Sequence, residues 1–249
     1  MNNSPGKIDL TVFFPVYNDE QTIRSVTEKA IGVCEELAQN YEVLIIDDCS
    51  PDNSGKIADE LAGENSRVRV IHQKQNMGYG AAVQTGFQNS TYEWICFTDG
   101  DDEYDIEDLK KIVKLKDFYD LVITFRYKKL YSGRRIFISY IYNKLLRIMF
   151  RSPYRDISTG LRFVRKSLLN ELHLTSNSPF IGAELTIKTM LKGYRIGEMG
   201  IQTFPREFGK GSVTSFKNIM ATIRDMRKIY REIFSDDYNL PTHRGRNRS

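Results

Sequence analysis

The chain has 249 residues, 41% of them hydrophobic, and a formal net charge of +4. That length admits one large domain or two small ones, and that apolar content supports a full core, which excludes a disordered or fibrous chain. No segment approaches the ~18 uninterrupted apolar residues of a spanning helix, and the opening residues, MNNSPGKIDL, lack the apolar region of a signal peptide.

In chain order, residues 10–14 are a short apolar run closed by Pro15 and read as a strand. Asn18, Asp19 and Glu20 open a helix to about residue 39, with Asn18 or Asp19 as its cap. Residues 42–46 are a second strand, ending in Asp47 and Asp48; the turn SPDN at 50–53 leads to a helix ending near Glu64. Residues 68–71 are a third strand, and Gly78 and Gly80 start a helix to about Asn89. A fourth strand at 94–97, a helix at 106–116 and a fifth strand at 121–125 complete the pattern. Strict alternation predicts an α/β fold, a mostly parallel sheet with helices on both faces. In such sheets ligands bind beyond the carboxyl ends of the strands. Residues 15–20, 47–48, 74–80 and 99–105 all fall at that edge.

The stretch FTDGDDEYD at 97–105 places Asp99, Asp101, Asp102, Glu103 and Asp105 together. Carboxylates this close repel unless a cation sits among them. Asp99 and Asp101, one glycine apart, suit a hard divalent ion such as Mg²⁺ or Mn²⁺, with phosphates and water in the remaining positions. An acidic turn opening a helix is the plain alternative. Cys34, Cys49 and Cys96 lack metal spacing and read as buried free thiols of a reducing compartment.

Beyond residue 125 the character changes. Residues 1–125 carry 11 Lys+Arg against 23 Asp+Glu, a balance of −12, whereas residues 126–249 carry 25 against 9, a balance of +16. An acidic half suits a metal, and a basic half suits an anionic partner. Residues 134–151, RRIFISYIYNKLLRIMFR, form a basic amphipathic helix with no acid, suited to an anionic membrane surface or to a core with a solvated basic edge. A strand at 161–164, a helix at 181–192 carrying Glu184, and a late strand at 196–204 follow. REFGKGS at 206–212 is a Gly-rich basic loop suited to anions. Residues 216–234 are a second basic amphipathic helix, and 235–249 a polar, flexible basic tail.

The order of FPVYNDE (14–20), IIDDCSPDNS (45–54), NMGYGAAVQTGF (76–87) and the Asp99/Asp101 pair resembles family 2 glycosyltransferases with the GT-A fold, the Rossmann-like nucleotide-diphospho-sugar transferases. The resemblance implies a catalytic domain over 1–215, with a nucleotide-sugar and metal half at 8–125 and an acceptor half at 126–215. It implies donor nucleotide binding by Pro15, Tyr17, Glu20, Asp47, Asp48, Asn76, Gly78 and Asp99. It implies metal ligation by Asp99 and Asp101, with Asp101 on the ion that bridges the diphosphate. The second half is similar to the polyprenyl-phosphate branch, typified by dolichyl-phosphate mannosyltransferases, through RDISTGLR (155–162), Glu184-Leu185 and 206–212. That similarity implies acceptor-phosphate contacts from Arg155, Thr159 and Arg162, and a diphosphate or phosphate contact from Arg206. The chain departs from the branch at Asp102-Glu103, where Leu-Gln or similar is common, and at Ser212-Val213, where Ser-Lys is common.

These readings lead to one expectation: metal-dependent, inverting transfer from a UDP- or GDP-sugar to a polyprenyl phosphate. The enzyme would be peripheral on the cytoplasmic face of a membrane, and a membrane partner subunit is left open. A phosphate monoester has its second pKa near ~6 and is already anionic, so it needs cations rather than a base. A soluble or protein-borne hydroxyl acceptor would need a general base, and Glu184 is the acid so placed, unless it pairs with an arginine. A nucleic-acid-binding module is disfavoured by the acidic half and by the absence of interleaved stacking aromatics.

Overall fold

The computed structural model describes residues 6–100, 102–127, 133–157, 159–203 and 215–235. Asp101, Arg206, the rest of the 206–212 loop and the tail beyond 235 lie outside the described residues, as do the side chains of Arg134 and Arg135.

The alternation of apolar strands and amphipathic helices folds as expected. The order is β1 (Ile8–Val16), α1 (Ile23–Leu37), β2 (Ala38–Asp47), α2 (Ser54–Glu64), β3 (Val68–His72), α3 (Tyr79–Asn89), β4 (Trp94–Phe97), α4 (Leu109–Ile112), β5 (Leu121–Arg126), α5 (Gly133–Phe150), β6 (Arg162–Arg165), α6 (Lys166–Glu171), α7 (Ile181–Leu191), β7 (Ile196–Ile201) and α8 (Phe216–Phe234). The sheet has seven strands in the order β3-β2-β1-β4-β6-β5-β7. All pairings are parallel except those of β6, which runs antiparallel between β4 and β5. One face packs against α1, α2 and α4, and the other against α3, α5, α7 and α8.

Local chemistry moves some boundaries. The first helix starts at Ile23, not at the acidic cluster. Asn18 has φ +62, and the Asp19 carboxylate is spent on the Tyr17 N–H at 3.0 Å. The Thr22 hydroxyl, next to the helix start, donates instead to the Gly100 carbonyl at 2.8 Å. The expected 106–116 helix divides into a 3₁₀ turn at Ile106–Asp108, α4, and a second 3₁₀ turn at Val113–Leu115. Its buried Ile106, Leu109 and Ile112 recur every three residues, the 3₁₀ period.

Helix α3 is anchored by Phe87, whose ring meets Phe13 of β1 at 5.2 Å and Phe97 of β4 at 5.3 Å, both edge-on. This aromatic cluster fixes α3 against the two central strands, so its first residue faces the carboxyl end of β4.

Candidate active site

The carboxyl ends of β1, β2 and β4 and the start of α3 meet at one edge of the sheet. The Asp48 N–H donates to the Val16 carbonyl at 3.0 Å, which joins the ends of β1 and β2. Asp48 itself is buried, and its two oxygens accept the N–H groups of Met77 and Gly78 at 2.7 and 2.8 Å. Burial raises its pKa against the pull of those two donors. Asp47 is buried as well, accepting from the Ser50 N–H at 2.9 Å and contacting His72 at 2.8 Å. The double acid therefore shapes the two loops around the edge with its side chains. Glu20 clamps a third loop: one oxygen accepts from both the main-chain and side-chain nitrogens of Asn53 at 3.0 Å. Tyr17 and Asn76 are exposed at the same edge. Pro15 lies against the turn after β4, where a methyl on Gly100 would stand 3.1 Å from the Pro15 carbonyl oxygen.

Asp99 follows β4 and is half-buried. The Tyr79 hydroxyl donates to its Oδ1 at 2.8 Å. Its Oδ2 faces Gly160, where a methyl would stand 2.5 Å away. The RDISTG segment thus closes directly onto the carboxylate expected to meet a metal. Among the described residues no group of three or more His, Cys, Asp or Glu could hold an ion. A half-exposed carboxylate that leaves most positions to phosphate and water fits Mg²⁺ or Mn²⁺, which commonly bind through one or two carboxylates plus substrate phosphates.

In the second half, three expected roles meet a different environment. Thr159 is buried, and its hydroxyl donates to the Thr124 carbonyl at 2.7 Å. Arg162 is also buried and donates to the carbonyls of Thr159 (3.0 Å), Ile157 (2.6 Å) and Gly182 and to the Thr186 hydroxyl (3.3 Å). Burial lowers its pKa. Neither side chain is placed to hold an acceptor phosphate; both are bonded to carbonyls and a hydroxyl of the core. Glu184 is fully buried, accepts the N–H groups of Thr175 and Ser176 at 3.0 and 2.8 Å, and pairs with Lys188 at 2.8 Å. It is a structural carboxylate paired with a lysine, sealed from any acceptor hydroxyl. Arg155 differs: it is exposed, with its guanidinium 4.8 Å from the centre of the Phe125 ring.

Sequence reasoning missed several residues that hold this edge. Arg126 forms a buried pair with Asp156 at 2.7 Å, and Asn143 of α5 accepts from the Ile157 N–H at 3.1 Å and donates to Asp156 at 3.2 Å. Asp225 of α8 accepts from the Ser178 N–H at 3.1 Å. Asn143 and Asp225 carried a signal, as polar residues on the apolar faces of amphipathic helices. Cys49 is exposed, unlike Cys34 and Cys96, because it sits in the turn after β2 at φ +59.

Outward faces of two helices carry the remaining pattern. On α5, Phe137 is 63% and Ile148 68% exposed, beside exposed Lys144 and Arg147. On α8, Met220 and Ile223 line a groove with Arg224, Arg227, Lys228 and Arg231. Among the described residues no helix is long and apolar enough to cross a membrane.

The profile described as Glycosyl transferase family 2 matches residues 11–173. Among solved structures, glucosyl-3-phosphoglycerate synthase from Mycobacterium tuberculosis is similar in fold. Its complex with Mn²⁺, UDP and phosphoglyceric acid superposes with a TM-score of 0.66 at 17% identity, covering 91% of this chain and 76% of that one. The complex with Mn²⁺ and UDP-glucose gives 0.67 at 18%, covering 88% and 78%. The complex with Mg²⁺ and UDP gives 0.62 at 17%, covering 91% and 76%.

Proposed function

Since the chain belongs to glycosyl transferase family 2 and is a glycosyltransferase of the GT-A fold, we propose that it transfers a sugar, with inversion, from a UDP- or GDP-sugar to a polyprenyl phosphate on the cytoplasmic face of a membrane. The nucleotide would lie over the ends of β1 and β2, between Tyr17 and Asn76, on loops held by Glu20, Asp47, Asp48 and Gly78. Mg²⁺ or Mn²⁺, held by Asp99 and Asp101, would neutralise the departing diphosphate when bound. The Mn²⁺ and Mg²⁺ complexes of the mycobacterial enzyme with UDP support this half of the reading.

The observation that carries the acceptor half is the burial of Glu184. With that carboxylate in the core, the base expected for a hydroxyl acceptor is lost, whereas a phosphate acceptor arrives already ionised. Its cations would come from exposed Arg155 and from Arg206. The apolar, cation-bearing faces of α5 and α8 suit an anionic lipid surface, where buried apolar area and charge both contribute to binding. A second reading, a soluble acceptor, is favoured by phosphoglyceric acid in the mycobacterial complex.

Calorimetric titration of UDP and GDP, each with Mn²⁺ and with chelator, tests the donor. Metal-dependent binding of one of the two is expected, and binding of neither overturns the reading. Sedimentation with vesicles containing anionic lipid tests the acceptor side. Co-sedimentation that falls with salt is expected, and protein left wholly in the supernatant transfers the case to the soluble acceptor.

A further inference from the structure

We propose that Tyr79 is a positioning residue for the Asp99 carboxylate, with Gly160 as the stop on its other side; this rests on the reading of Asp99 as a metal ligand. One oxygen of Asp99 takes the Tyr79 hydroxyl at 2.8 Å, and the other stands against Gly160. Any side chain at 160 would enter Oδ2 at 2.5 Å and the Tyr104 ring at 2.7 Å. Tyr79 and Gly160 thus bear on the two oxygens of the carboxylate and limit its rotation before an ion arrives.

Tyr79 can do this because α3 cannot slide. Its second residue, Gly80, touches the backbone of the 176–178 loop so closely that a methyl there would stand 2.4 Å from the Asn177 carbonyl carbon and 2.5 Å from the Ser178 carbonyl oxygen. The Gly80 N–H donates to the Asn177 carbonyl at 3.2 Å, and the Gln84 side chain donates to the Ser176 carbonyl at 2.9 Å. That loop is in turn held by Glu184 and Asp225. Partners that orient a metal ligand are worth 10- to 100-fold in metal affinity, and pre-orientation spares the ion the cost of ordering the ligand.

Tyr79→Phe removes one oxygen and keeps the ring. Mn²⁺ binding, followed by electron paramagnetic resonance with UDP or GDP present, is expected to weaken about tenfold or more. Melting temperature and nucleotide affinity at saturating Mn²⁺ should stay near wild type, which a merely structural role would not produce. Gly160→Ala, which pushes the carboxylate from the other side, is expected to weaken Mn²⁺ binding as well and decides the matter if Tyr79→Phe does not fold. Wild-type Mn²⁺ affinity in the folded variants overturns the positioning role while leaving the metal site standing. No Mn²⁺ binding by the wild-type protein overturns both.

Discussion

His72, at the end of β3, has a carboxylate on each ring nitrogen: Asp47 at 2.8 Å on Nδ1 and Asp59 at 3.0 Å on Nε2. Two acceptors call for two donors, which only the imidazolium supplies. The hydrogen bond to Asp59, then that to Asp47, raises the pKa above its ordinary value. The folded state thus holds the proton more tightly than the unfolded chain. The stabilisation is complete below the unfolded value of ~6.5 and is lost as pH rises through the raised folded value. Urea unfolding of wild type and His72→Gln should therefore differ more at about pH 5.5 than at about pH 9; equal differences would remove the doubly bonded imidazolium. Arg162 gives a second test at this scale. Its guanidinium serves three carbonyls and a hydroxyl inside the core. Arg162→Ala leaves those acceptors buried and unmet, at a cost of about 3 kcal/mol or more. A variant that unfolds at the wild-type denaturant midpoint but has lost acceptor binding would return Arg162 to the acceptor site.

Helix α7 shows how an element can mislead. Glu184 looked like a base because it was the one suitably placed acid in a basic half. On the folded helix it points inward and organises the segment before its own N-terminus through the N–H groups of Thr175 and Ser176, with Lys188 one turn later as its counter-charge. Glu184→Gln keeps one acceptor oxygen, turns an amide NH₂ toward a backbone N–H and leaves Lys188 with Glu232 as its remaining carboxylate, so a loss of about 1–3 kcal/mol is expected with turnover of the folded protein little changed. A hundredfold fall in turnover at unchanged stability would reinstate the base. Elements with a strong apolar period were legible: β4 and α8 stand at the expected boundaries. The direction of β6 was not legible, because an RFVR run reads the same in parallel and antiparallel pairings. Nor was the depth of Thr159 and Arg162, since burial of a polar residue depends on what closes over it.

For the whole molecule, the sequence order of four polar clusters was enough to bring them to one edge of the sheet, because parallel strands deliver all their carboxyl ends to one side. The residues that hold the clusters together were hidden, since Tyr79 with Asp99, Asn143 with Asp156 and Asp225 with Ser178 are pairs distant in sequence. The loop at 174–180 belongs to this hidden set. It is grasped from outside by α8, through Asp225 and through the Lys228 ammonium on the Thr175 hydroxyl at 3.2 Å, and it bears from inside on the first turn of α3. The outermost basic helix and the first turns of α3 thus hold one loop from two sides. Under the proposed function, a surface that bound α8 and shifted that loop would change the hold on the nucleotide by some factor. The closed thermodynamic cycle would then oblige the loaded enzyme to grip that surface with an affinity changed by the same factor. Recruitment and loading would be a single equilibrium read from either end.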